Sequence, residues 1–123
     1  MAKLLGLSLA FLMTVASHGV IASSGEIKTM ASILAGLNHY PSGADKKQLQ
    51  SIVDNGSASA HSRTIAQAMI NLDHSVSGAD KPKLKKIASD DSASAHERDL
   101  ASILLNLSHK ASSADKHKLH SMH

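Results

Sequence analysis

The chain contains no cysteine and no tryptophan, one phenylalanine, one tyrosine and two prolines among its 123 residues. Without cysteine there is no disulfide staple, no thiolate metal ligand and no thiol nucleophile. Stability must therefore come from packing or from a bound ligand. Phe11 and Tyr40 alone cannot make the stacking platform that single-stranded nucleic acid uses. Neither sign of charge dominates: 13 basic residues against 10 acidic ones leave a formal +3 with histidine neutral. The charges are intermixed, which argues against a nucleic-acid partner and leaves no basic face for a membrane. Runs of β-branched residues are also missing and alternation is nowhere sustained, so helix is the element left to build with.

The first residues follow a different logic. Met1, Ala2 and Lys3 give a short positive start, and Leu4 to Ala16 form an apolar run broken only by Gly6, Ser8 and Thr14. Small residues lead to Val20, Ile21 and Ala22, which place Val and Ala at the −3 and −1 positions of a cut. That order is the layout of a secretory signal peptide, and the run falls short of the ~20 apolar residues of a membrane span. The expectation is a signal peptide over 1–22, a helical-repeat domain over 23–123, and a periplasmic or secreted location. No cysteine follows the run to carry a lipid anchor. The remaining hundred or so residues suffice for a modest core.

Within that domain the sequence repeats with a period of 35 residues. His39, His74 and His109 are equivalent, as are Leu37, Leu72 and Leu107; Asp45, Asp80 and Asp115; and Leu49, Leu84 and Leu119. A linking phrase, Ser57-Ala58-Ser59-Ala60-His61, returns as Ser92-Ala93-Ser94-Ala95-His96. The copies are taken as 29–63, 64–98 and 99–123, the last one stopping before the phrase. Each copy reads as two helices. Ile65, Ala66, Ala68, Met69, Ile70 and Leu72 make a wide apolar surface on the longer helix, and Leu84, Ile87 and Ala88 a stripe on the shorter. Ser94 with Glu97 has capping-box spacing, Ser59 supplies a simpler cap, and Ser42/Asp45, Ser77/Asp80 and Ser112/Asp115 open the shorter helices. The expected fold is all-α: three tandem helical hairpins in a small repeat array or a compact bundle. The aromatic positions of tetratricopeptide repeats are absent.

The repeat also sorts candidate residues, since a catalytic group is needed once whereas caps and packing residues recur. The Asp-Lys pairs at 45–46, 80–81 and 115–116 read as structural, the acid complementing a helix N-terminus. No nucleophile elbow, phosphate loop or HExxH is present, and the chain is expected not to be an enzyme. Histidine is the residue in excess: nine, all but His18 beyond the expected signal peptide. His39, His74 and His109 fall at the ends of the longer helices, where a charged imidazole suits the terminal carbonyls. In a regular stack the three would also form a ladder along one edge, able to share metal ions or sense pH. His61 and His96 begin the longer helices, as a neutral ligand or as half-buried packing.

The C-terminal tail departs from the pattern. His117, His120 and His123 stand three apart, where earlier copies carry Pro82, Lys85 and Ala88, or Lys47, Gln50 and Val53. Residues at that spacing share a helical face, and imidazole suits Cu, Ni and Zn, with Met122 tilting the choice toward Cu(I). The candidate metal ligands are therefore His117, His120 and His123, with His109 as a fourth. The segment Asn55-Gly56-Ser57-Ala58-Ser59-Ala60-His61 also resembles a phrase of the His- and Met-rich periplasmic silver- and copper-binding proteins. Those proteins carry more Met and His and have His-x-x-Met spacings missing here; the resemblance implies soft-metal buffering in the periplasm. The expected function is an exported, non-enzymatic protein that binds or buffers Cu, Ni or Zn through histidines. The alternative is a helical-repeat module for another exported protein, the apolar helix surface being wide for three hairpins alone, with self-association open. A third expectation, loosening on acidification as the histidines charge, follows from their number.

Overall fold

The computed structural model describes residues 24–122, so the apolar N-terminal run and His123 lie outside the described residues. The chain forms α1 (Ser24–Ala35), α2 (Gly43–Asp54), α3 (Ala60–Ile70), α4 (Lys81–Ala88), α5 (Ala95–Asn106) and α6 (Ser113–His120). No strand occurs among the described residues. The helices run 8 to 12 residues, too short to persist alone in water. None is long and apolar enough to cross a membrane.

Their ends are set by the expected side chains. Ser42 and Asp45 cap α2 reciprocally, as Ser94 and Glu97 cap α5, while Ser59 and Ser112 each accept the N3 backbone N–H of α3 and α6. The middle copy differs in one detail. Pro82 has no N–H to donate to the preceding turn, and α4 begins one turn later than its equivalents. Ser77 still receives the Asp80 N–H at 3.3 Å, and the Asp80 carboxylate accepts from Ser77 and from Asn71.

The first helices of the copies, α1, α3 and α5, touch one another, and each second helix packs chiefly on the first helix of the following copy: α2 on α3, α4 on α5. The second helix of the last copy, α6, has no following copy and packs on α1. The array therefore closes on itself. The three first helices form an inner ring and the three second helices clasp its seams, around a pseudo-threefold axis. Equivalent residues stack in layers: Met30, Ile65 and Leu100; Leu34, Met69 and Leu104; Leu37, Leu72 and Leu107, all buried. Leu49, Leu84 and Leu119 are the buried leucines of the outer helices α2, α4 and α6. Met122 takes the place of Ile52 and Ile87 and is 2% exposed, so its thioether belongs to the core. The wide apolar surface that suggested a protein partner is consumed inside the ring; among the described residues only Tyr40 is a large hydrophobic side chain left exposed.

The segment that resembles metal-binding proteins folds as a loop with structural duties. Asn55 accepts the Ser57 N–H at 2.9 Å, Ala58 is buried, and Ser59 caps α3. Its counterpart uses Asp90, which accepts the Ser92 N–H at 2.8 Å and the Ser92 hydroxyl at 2.7 Å. These bonds, together with His61 nearby, hold the Asp90 carboxyl below its usual range.

At the N-terminal end of the inner helices the threefold pattern breaks into Ile27, Ser62 and Glu97. Glu97 is buried. Its carboxylate accepts the Ser59 hydroxyl, the Ser62 hydroxyl at 2.9 Å and the Ser94 N–H at 2.8 Å. His61 joins the cluster, its Nε2 3.1 Å from Asp90 and its Nδ1 3.9 Å from Glu97. Burial pushes the Glu97 carboxyl up, but the three hydrogen bonds and the His61 charge outweigh it and leave the group below its usual value of 4.5. A buried carboxylate is tolerable only when its oxygens are satisfied in this way.

Two outcomes follow. Leu119→Ala, on the closing helix, should destabilise by about 3 kcal/mol, as much as Leu84→Ala in the middle copy, measured by urea unfolding. In an open array the terminal substitution would cost far less. Glu97→Gln places an amide NH₂ against either the Ser94 N–H or the hydroxyls and should lower stability at pH 7 by about 1–3 kcal/mol. Because the folded-state pKa lies below the unfolded one, the ionised group stabilises at pH above the unfolded value. That contribution is lost as pH falls through the folded value. The gap between wild type and Glu97→Gln should thus shrink on acidification below about 4.5; a gap independent of pH would contradict it.

Candidate metal centre

The three equivalent histidines emerge where the inner helices end. Each helix finishes in a tighter turn, the N–H of Leu37, Leu72 and Leu107 donating three residues back to Leu34, Met69 and Leu104. The chain then alternates: a buried Leu, an exposed residue, the histidine, an exposed residue, and a buried Pro41, Val76 or Ala111. The buried residues on either side pin the histidine between them.

The backbone at each histidine is unusual. His39, His74 and His109 have φ of 82°, 71° and 69°, and no other non-glycine residue among those described has positive φ. The left-handed region costs an L-residue roughly 1–2 kcal/mol, and glycine or asparagine is the ordinary occupant. Three histidines hold it, once per copy. The conformation lets the three backbones interlock. The His39 N–H donates to the His109 carbonyl at 2.7 Å, His74 to His39 at 2.9 Å, and His109 to His74 at 2.6 Å. This closed triangle of hydrogen bonds lies across the axis.

The rings follow the backbone. Their centroids are 4.8–5.2 Å apart and each pair is inclined by 76–80°, a three-bladed propeller. The Nδ1 atoms face one another at 3.1 Å (His39–His74), 3.3 Å (His39–His109) and 2.9 Å (His74–His109). An imidazole nitrogen either donates or accepts in the ring plane, never both. Three converging Nδ1 atoms cannot all be satisfied by one another, and at least one pair always sets lone pair against lone pair or proton against proton. A cation shared at the centre removes the conflict.

The dimensions suit a metal ion. A triangle with edges of 2.9, 3.1 and 3.3 Å has its corners about 1.8 Å from its centre. All three Nδ1 atoms would thus be within the usual metal–imidazole distance of about 2.0–2.1 Å of a single ion held by the triangle. Asp73 stands 3.6 Å from Nε2 of His74, on the ring edge away from the triangle.

The sequence-derived candidates divide accordingly. His109 belongs to the centre. His117 and His120 are exposed on α6, and His123 lies outside the described residues. Among the described residues the triad is the one group of three or more potential metal-ligating side chains. His39 and His74 were legible only as helix-end residues or as rungs of a ladder. The structure places both four residues past the helix ends, in a ring with His109. No family model matches this chain, and no match was found among curated proteins or solved structures.

The strain is open to test. His109→Gly should raise the stability of the metal-free protein by about 0.5–1 kcal/mol by relieving the left-handed backbone. His109→Ala, which keeps a β-carbon at the same φ, should bring no such gain. Equal loss in both, by thermal or urea unfolding, would contradict a strained histidine.

Proposed function

We propose that this protein binds one transition-metal ion of the Cu, Zn or Ni class through Nδ1 of His39, His74 and His109. We further propose that it acts by binding and not by catalysis. The observation that carries this is the convergence of three Nδ1 atoms within 3.3 Å of one another, each supplied from a strained backbone position. An all-nitrogen donor set favours Cu(II), with Ni(II) and Zn(II) behind it. The signal-like start and the periplasmic-protein phrase support a role outside the cytoplasm, as a buffer or carrier.

The test is calorimetric titration of the purified protein with Cu(II), Ni(II) and Zn(II), in a buffer that does not bind metal. One equivalent should bind with Kd of about 1 μM or tighter, and His39→Ala, His74→Ala or His109→Ala should each weaken it by at least about tenfold. The variant with His117, His120 and His123 all changed to Ala should retain that binding. Loss in the tail variant with retention in the triad variants would move the site to the tail. No binding in the wild type would remove a metal function.

A further inference from the structure

The triad supplies three donors and covers only one side of an ion. Three nitrogens converging from one end of the fold would leave the remaining positions of a bound ion to other ligands. On the inner side the backbone triangle of His39, His74 and His109 crosses the axis, and Leu37, Leu72 and Leu107 are packed close by in the core. No ligand can enter from there. The flanking residues Asn38, Tyr40, Asp73, Ser75, Ser108 and Lys110 are all exposed. Asp73, the one carboxylate among them, lies 3.6 Å from the Nε2 edge of His74, away from the Nδ1 triangle. No fourth His, Asp or Glu among the described residues joins the group.

We propose, building on the metal-binding function above, that the ion in the triad keeps exchangeable solvent-facing positions and takes up small monodentate anions there. Four-coordinate Zn sites divide on this point: structural ones are closed by four protein ligands, whereas three protein ligands leave a position for water or another small ligand. The triad is of the second kind. Its ligand class is a compact anion of the azide, carboxylate or hydrogencarbonate type. The occupant that would exclude it is a second copy of the chain, whose own triad could complete six nitrogens around one ion.

The probe is azide added to the purified, Cu(II)-loaded protein. Binding to copper gives an azide-to-copper charge-transfer band. Open positions are expected to yield a band that saturates with azide at one copper per chain, in a protein that sediments as a monomer. His74→Ala, which disrupts the triad, should lose both the copper and the band. A copper-loaded protein that develops no such band would overturn the inference while leaving metal binding intact. So would one copper per two chains with a copper-dependent dimer, since a second triad would then fill the open side. Failure to take up copper at all would overturn the proposed function and this inference with it.

Discussion

Pairing of α6 with α1 is the contact on which everything else in this protein depends. It turns three copies of a helical hairpin from a line into a ring. In a line, each copy meets its neighbours by translation, and equivalent residues are spread along an edge. In a ring they meet on an axis. The layers of Met30, Ile65 and Leu100, or of Leu34, Met69 and Leu104, exist only because the last copy returns to the first. The same closure brings three loop residues, 35 and 70 positions apart in the chain, to within hydrogen-bond distance.

The two ends of the axis treat polar groups differently. At one end Glu97 is surrounded by donors from three serine positions, so a buried charge becomes a satisfied part of the core. At the other end three imidazole nitrogens face each other without enough complementary partners, on backbones held at positive φ. The first arrangement is complete within the protein. The second would gain a shared partner from a bound cation. Local strain and unmet donor or acceptor capacity coincide at this one point of a fold otherwise well capped and packed, and that coincidence motivates the proposed metal site.

Much of the fold was readable from the residues. The 35-residue period, the serine caps and the apolar stripes gave six helices in three hairpins, and the structure has them. The axis was harder to foresee. Ridge and cap patterns describe how one copy folds, whereas closure depends on the angle between copies, a property of packing that no single residue announces. His39, His74 and His109 were read as helix-end residues or as a ladder along one edge, and the structure gathers them on the axis instead. The rule that recurring residues are structural says little about them. It holds for an open array, where each copy meets its own surroundings. In a closed ring a residue that recurs three times can build one site from three parts. His117, His120 and His123 drew notice because they break the repeat. Met122 beside them proved to be a core residue substituting for Ile52 and Ile87.

A two-bond ¹H–¹⁵N correlation spectrum of the histidines, recorded before and after one equivalent of Zn(II), tests the central claim most directly. It distinguishes the two nitrogens of each ring and identifies which one is ligated. Metal binding at the axis predicts that Nδ1 of His39, His74 and His109 moves together to the ligated position while each Nε2 keeps its proton. Ligation through His117, His120 or His123, or through Nε2 of the triad, would contradict it.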